Sequence, residues 1–198
     1  WWFNKKIMNN MLDLKEINKK WTLFIDRDGV INEEKDMDYI HTWEEFSFYP
    51  DVKLALKIFA EKFGRIIIIT NQRGVGKGLT KLENLEKIHS NMLDEIKEAG
   101  GRIDRIYYCP DIEDENPNRK PNPGMGLQAM EDFPEIELGE SIMIGNTLGD
   151  MEFGRNLGVA ATIFLKTTHP GTKLPHAFVD FVFDDLASVS RALINTTT

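Results

Sequence analysis

The 198-residue chain predicts an α/β fold, a Rossmann-like three-layer sandwich in which a mostly parallel sheet is covered by helices on both faces. Three observations carry that prediction. Apolar strand patterns alternate with helical ones along the chain, as in a sheet built from crossover helices. The run Ile66-Ile67-Ile68-Ile69 is apolar without alternation, as expected of a strand covered on both faces. Polar segments rich in glycine follow the strand patterns, and ligands of such sheets bind outside the carboxyl ends of the strands.

The elements follow in order. Leu23 to Ile25 reads as the first strand, ending in Asp26-Arg27-Asp28-Gly29. Residues 29–49 are loop-like, with Tyr39, Trp43, Phe46, Phe48 and Tyr49 spread through them. Asp51 opens a helix with Val52, Ala55, Leu56, Phe59 and Phe63 on one face, and Gly64 closes it. Beyond the isoleucine strand, Thr80 and Glu83 have the spacing of a capping box. The helix behind them carries Leu82, Leu85, Ile88, Met92, Ile96 and Ala99 at helical spacing and ends at Gly100-Gly101. Ile103 to Cys109 is a strand, residues 110–123 are a polar, proline-rich loop, and a helix runs from there to about Asp132. Ile142 to Ile144 is a strand and Asp150 to Leu157 a helix. Val159 to Leu165 and Val179 to Phe183 are the last strands, and Asp184 or Asp185 caps a final helix through Leu193. No internal repeat interrupts this order. The expected organisation is an N-terminal extension over residues 1–20 and one domain over residues 21–198.

Apolar content of 41% and charged content of 28% are those of a globular domain, and the length suffices for one sizeable core. The formal net charge of -8 argues against a duplex nucleic-acid footprint, which is normally basic. It leaves room for a small anionic substrate, because a local site can be positive on an acidic protein. The single cysteine, Cys109, excludes a disulfide scaffold and a multi-cysteine zinc site. No apolar run approaches the length of a membrane span. Residues Trp1 to Ile7 lack the uninterrupted apolar stretch of a signal peptide. The expectation is an extended or misassigned start, with Met8 or Met11 as the better initiator, and a cytoplasmic, reduced compartment.

Four segments carry chemistry. Asp26-x-Asp28 places two carboxylates at a strand end, where such a pair can hold a metal, attack phosphorus and move a proton. Alone, it also fits a solvated polar turn. Thr70-Asn71-Gln72-Arg73-Gly74-Val75-Gly76 offers a hydroxyl, an amide and exposed backbone N–H groups, which suit a phosphate or simply cap a helix. The neighbouring Gly76-Lys77-Gly78 is no P-loop: Gly78 stands where that motif needs Ser or Thr, and Asn71 where it needs glycine. Arg119-Lys120 before the turn Pro121-Asn122-Pro123 supplies a forked and a compact cation, or a solvated basic turn. In Gly145-Asn146-Thr147-Leu148-Gly149-Asp150, Asn146 reads as a helix cap, and Asp150 complements the dipole of the first turn.

Together these segments resemble a known superfamily. Phe24 to Asn32 (Phe-Ile-Asp-Arg-Asp-Gly-Val-Ile-Asn), Tyr39 to His41 followed by Glu45 to Phe48, Thr70 to Gln72, and Arg119 to Met125 occur in the order found in haloacid dehalogenase (HAD) phosphohydrolases. Within them, the chain is most similar to the D-glycero-D-manno-heptose bisphosphate phosphatases and the related histidinol-phosphate phosphatases. The resemblance implies a HAD-like fold, and the short segment after the first motif implies no large cap domain. It implies that Asp26 is the nucleophile of an aspartyl-phosphate mechanism and Asp28 the acid and base. It assigns Thr70 and Lys120 to the phosphoryl oxygens, and Asn71, Gln72 and Arg73 to orienting the substrate. Arg119 would recognise the substrate, and Asp36 and Tyr39 lie in the loop that closes over it. The implied cofactor is Mg²⁺, bound by Asp26, the backbone carbonyl of Asp28, Asn146 and Asp150.

Two departures stand out. Asn146 occupies the position of a metal-binding aspartate, which keeps an oxygen but loses a charge. Cys109 stands alone and Pro110 to Asn118 contains no histidine, so the zinc loop of many heptose bisphosphate phosphatases is not expected. His41, His89, His169 and His176 have no ligand-like spacing, and His89 reads as structural. The expected function is hydrolysis of a small-molecule sugar phosphate by a monomer that binds neither nucleic acid nor membrane. One alternative is a histidinol-phosphate phosphatase. Another, from a different class, is a low-activity or inactive sugar-phosphate binder weakened by Asn146. A polynucleotide 3′-phosphatase shares the fold and is disfavoured by the acidic balance.

Overall fold

The computed structural model describes residues 12–169 and 171–194. The apolar opening residues, with Met8 and Met11, lie outside the described residues. Six strands, β1 (Thr22–Ile25), β2 (Arg65–Asn71), β3 (Arg105–Cys109), β4 (Ser141–Gly145), β5 (Ala161–Leu165) and β6 (Phe181–Phe183), form one sheet in the order β3-β2-β1-β4-β5-β6. Every pairing is parallel. The helices are α1 (Val52–Lys62), α2 (Arg73–Gly76), α3 (Leu82–Glu98), α4 (Gly124–Asp132), α5 (Leu148–Leu157) and α6 (Leu186–Ile194). The chain winds outward from β1 to β3 and returns to β4 on the other side of β1. Strand order therefore reverses at β1, and a crevice opens above its carboxyl end.

Alternation of side chains explains the three layers. Leu23, Ile25, Ile66, Ile68, Ile142 and Ile144 pack with Leu56 and Phe59 of α1, Met92 and Ile96 of α3, and Leu186 and Val189 of α6. Phe24, Ile67, Ile69 and Met143 pack on the opposite face with Met125 and Ala129 of α4 and Phe153 and Leu157 of α5. A strand between two such faces must be apolar at every position, as the isoleucine run is. The register sets Ile25 beside Ile68 and Ile144, so Asp26 leaves the sheet level with the end of β4 and two residues short of the end of β2.

The structure moves several boundaries. Thr80 does not cap α3: the N-cap is Lys81, with no side-chain cap bond. The Thr80 hydroxyl instead meets His41 Nδ1 at 2.8 Å, so a tertiary partner takes the group that local spacing assigned to the helix. Thr147, not Asn146, caps α5, in a reciprocal capping box with Asp150. The helix thus begins at Leu148. β3 starts at Arg105, because the Asp104 carboxylate turns to accept the Ile66 N–H at 2.8 Å. β5 and β6 begin two residues later than their apolar patterns, at Ala161 and Phe181. Gly64 does not end α1 by a left-handed turn. It passes so close to the chain that a Cβ would lie 2.1 Å from the Lys19 carbonyl oxygen. Within residues 12–20, Leu14 and Ile17 are buried against the domain core. No helix among the described residues is long and apolar enough to cross a membrane.

Candidate active site

One cleft above the carboxyl ends of β1, β2 and β4 is lined by Asp26, Asp28, Thr70, Asn71, Gln72, Lys120, Asn146 and Asp150. Four sequence-distant segments reach it because the parallel sheet presents all its strand ends on one side. Gly29 makes the approach possible, with φ at 76°. A Cβ there would lie 2.0 Å from Asn146 Nδ2 and 2.9 Å from Glu34 Oε2. Only glycine tolerates both this backbone and this contact.

The centre of the cleft is an ion triad. Lys120 Nζ lies 2.8 Å from Asp26 Oδ1 and 2.5 Å from Asp150 Oδ1, and all three side chains are nearly or fully buried. Burial pushes the Asp26 carboxyl up to about 7, with Lys120 opposing and Asp150 adding to the rise. Burial works against the Lys120 charge too, but the Asp150 and Asp26 carboxylates outweigh it and hold its pKa above the usual value. Asn71 fixes the backbone of Lys120. Its Oδ1 accepts the Lys120 N–H at 3.0 Å and its Nδ2 donates to the Lys120 carbonyl at 3.1 Å. The Asn71 amide thus fixes the placement of Lys120 while lining the cleft.

Asp28 sits in a second network. The Arg27 guanidinium grips both its oxygens, at 2.7 and 2.8 Å. Asn32 Nδ2 and Gln72 Nε2 each donate to it at 2.9 Å, and Gln72 Nε2 also donates to Thr70 Oγ1 at 2.9 Å. Burial disfavours the Asp28 charge, but Arg27 and these amides prevail and hold the carboxyl below its usual range.

Arg27 escaped the sequence reading, and His89, expected to be structural, is its partner. Arg27 is 1% exposed, and its Nη1 lies 3.0 Å from His89 Nε2. Burial, then the Arg27 charge, pushes the His89 pKa down to about 3, so the ring is neutral and its Nε2 accepts from the guanidinium. The available signals were slight: an arginine between two strand-end aspartates, and a histidine on the apolar face of a helix. We expect His89→Leu to leave a buried guanidinium N–H unpaired at a cost of about 1–3 kcal/mol. Urea denaturation checks this, and an unchanged midpoint would mean that Arg27 finds another acceptor.

Not every expected residue enters the cleft. Arg73 Nη2 donates to the Ile112 carbonyl at 2.9 Å, and Arg119 Nε lies 3.0 Å from Asp114 Oδ1. Both arginines face the 111–114 loop, whose carbonyls and carboxylate draw them there. Asp36 lines an adjoining hollow with Lys77 and His169, and Tyr39 borders both spaces.

The donors available to a hard cation are oxygens, as Mg²⁺ requires. Among the described residues, two buried side-chain oxygens lack a partner, Oδ1 of Asn32 and Oδ1 of Asn146. Asp26 offers a carboxylate in the same cleft as Asn146. Asp150 fits less well, since Lys120 takes one oxygen and the Thr147 N–H and hydroxyl take the other. Among the described residues no three His, Cys, Asp or Glu groups converge in the manner of a metal cage.

Comparison with known proteins adds a lineage to this geometry. Residues 4–188 match the family described as polynucleotide kinase 3 phosphatase. The D-glycero-alpha-D-manno-heptose-1,7-bisphosphate 7-phosphatase of Mycobacterium bovis is 36% identical over 143 residues, covering 72% of this chain and 75% of its own length. The D-glycero-beta-D-manno-heptose-1,7-bisphosphate 7-phosphatase of Pseudomonas putida is 35% identical over 175 residues, covering 87% and 98%. The crystal structure of D,D-heptose 1,7-bisphosphate phosphatase from B. bronchiseptica, complexed with magnesium and phosphate, is similar with a TM-score of 0.77 at 27% identity, covering 87% of this chain and 97% of that one. The sheet order, the strand-end aspartates and the extent of these matches agree: the chain belongs to the polynucleotide kinase 3 phosphatase family and is a phosphatase of the HAD superfamily.

Proposed function

We propose that the chain hydrolyses the 7-phosphate of D-glycero-D-manno-heptose 1,7-bisphosphate through an aspartyl-phosphate intermediate, with Mg²⁺ as cofactor. The observation that carries the reading is Asp26 at the carboxyl end of the central strand, 2.8 Å from the buried Lys120 ammonium and two residues from Asp28. Relatives 36% and 35% identical to this chain are named for that substrate.

In this mechanism an Asp26 oxygen attacks phosphorus and the ester P–O bond breaks. Asp28 passes a proton to the departing alkoxide and then takes one from the water that attacks the phospho-aspartate. Lys120 and the Thr70 hydroxyl bind the non-bridging oxygens. Arg27 favours the ionised form of Asp28, the form the water step needs. The ester step therefore requires Asp28 to take up a proton first. Bound magnesium, held by Asp26, the Asp28 carbonyl and Asn146, would neutralise charge on the phosphoryl group and on Asp26. Arg73 and Arg119 would reach the substrate only by leaving the 111–114 loop. The reading includes a cytoplasmic monomer without zinc, and a net charge of -8 speaks against a nucleic-acid substrate.

A panel of both heptose bisphosphate anomers, histidinol phosphate and an aryl phosphate tests it. We expect one heptose anomer to give kcat/KM at least ~10-fold above histidinol phosphate, a margin within reach of a few pocket contacts. Preference for histidinol phosphate would replace the substrate. Binding of a heptose bisphosphate with no phosphate released from any of the four would mark a binding protein instead.

A further inference from the structure

Asn146 carries two N–H donors and one carbonyl oxygen on a side chain that is fully buried. Its Nδ2 lies 3.2 Å from Glu34 Oε2 and 2.6 Å from Thr168 Oγ1. A carboxylate only accepts, so the atom facing Glu34 has to be the nitrogen. With both donors engaged there, the carbonyl oxygen is directed elsewhere, and no side chain or backbone group meets it. Glu34 and Asn146 converge over Gly29, the residue after Asp28, and line the same cleft as Asp26.

Charge completes the argument. An aspartate at position 146 would bring its own negative charge, but beside Glu34 it would place two carboxylates about 3 Å apart and disfavour both. Glutamate at 34 and asparagine at 146 are complementary. One carries the charge and the other carries the free oxygen.

We propose that Glu34 and Thr168 are positioning residues for the divalent cation. They lock the Asn146 amide so that its carbonyl oxygen faces the metal, and Glu34 supplies from one bond away the negative charge that asparagine lacks. The inference rests on the metal-dependent reading above and assigns two residues to it that lie outside the recognised motifs. Outer-shell partners of this kind orient a ligand and raise its donor strength.

The test is calorimetric titration of Mg²⁺ into the metal-stripped full chain, without substrate or turnover. Glu34→Gln and Thr168→Val are each expected to weaken Mg²⁺ binding about 10-fold, the lower end of what outer-shell changes do to metal affinity. Asn146→Asp reverses the sign of the Glu34 effect. In that background Glu34→Gln is expected to tighten binding or leave it unchanged, because it now removes a like charge rather than a compensating one. A residue that merely supports the fold would weaken binding equally in both backgrounds. If wild type binds Mg²⁺ and both single variants bind it equally well, the positioning role is wrong and the metal-dependent reading survives. If Glu34→Gln weakens binding about equally in both backgrounds, the charge compensation is wrong. If wild type fails to bind Mg²⁺, the metal-dependent reading itself falls. Thr168 and Glu34 lie in different loops, so a folding defect in one variant leaves the other decisive.

Discussion

Asp26→Asn is expected to abolish phosphate release and, at pH 8 without metal, to raise the melting temperature of the chain. The first half follows from chemistry. An amide cannot form the phospho-enzyme, and loss of a covalent nucleophile is expected to lower kcat at least ~10⁴-fold. The second half follows from burial. Asp26 is almost fully buried, and its carboxyl is raised from 3.8 to about 7, mainly by desolvation. A carboxyl raised on folding binds its proton more tightly in the native state. Its contribution is fully favourable below about pH 4 and is lost as pH climbs towards 7. At pH 8 the native state therefore carries an ionised carboxylate that asparagine would not. The substitution also removes one partner of Lys120, but Asp150 at 2.5 Å remains. Setting the two against each other, we expect a gain on the order of 1–2 kcal/mol, or about 2–8 °C for a chain of this size. The gain should shrink at pH 5, where wild-type Asp26 is already largely protonated. Saturating Mg²⁺ should reverse it, because the ion stabilises only the form that binds it. Normal turnover in the variant would remove Asp26 as nucleophile. A lower melting temperature at pH 8 would mean that the Lys120 attraction exceeds the burial term.

The sequence made the sheet legible because its evidence is local. Continuous isoleucines need two covered faces, and the alternation of strand and helix needs crossovers. It also showed which residues stand at strand ends, and all four strand-end groups at the cleft centre, Asp26, Asp28, Thr70 and Asn146, lie where the parallel sheet puts them. What it could not show is partner choice among polar side chains. Thr80 had a capping partner three residues away in sequence, yet His41, 39 residues away, holds its hydroxyl. Asn146 had the type and place of a cap, but Glu34 and Thr168 turn it elsewhere and leave the cap to Thr147. Arg73 and Arg119 had the charge to meet a phosphate, and the 111–114 loop meets them instead. His89 shows the converse. Its place on the apolar face of α3 reads as packing, yet its Nε2 accepts from the arginine that holds Asp28. Hydrogen bonds are short-ranged and directional, so a sequence fixes the available groups while the tertiary fold fixes the pairs.

Lys120→Met is the substitution expected to destabilise the chain most. The methionine stem can follow the path of the lysine stem, so packing is largely kept and charge alone is removed. What remains is a pair of buried carboxylates, Asp26 and Asp150, that both faced one ammonium at 2.8 and 2.5 Å. Breaking a buried ion pair from one side typically costs about 3–5 kcal/mol, because the surviving charge is neither solvated nor paired. Here two charges survive and repel each other. For a chain of this size that cost lowers the melting temperature by roughly 10 °C or more at pH 8. The pH dependence carries a definite sign. Protonating Asp26, whose carboxyl burial already raises to about 7, relieves both its burial penalty and the repulsion, so the deficit relative to wild type should be largest at pH 8 and smaller at pH 5. Lys120→Arg tests geometry at constant charge. Its planar fork cannot present one compact donor to both carboxylates in a space where the lysine side chain is 4% exposed, so a smaller loss is expected. Thermal melts of wild type and the two variants at both pH values check the set. If Lys120→Met melted like wild type at pH 8, water or proton uptake would already be compensating the carboxylates, and the triad would not organise the cleft. If its deficit grew on acidification, the loss would come from packing rather than charge. The same ammonium that the fold needs to bury two carboxylates is the one proposed to bind the phosphoryl oxygens. Stability and phosphate binding are therefore expected to fail together at this residue, whereas at Asp26 they are expected to move in opposite directions.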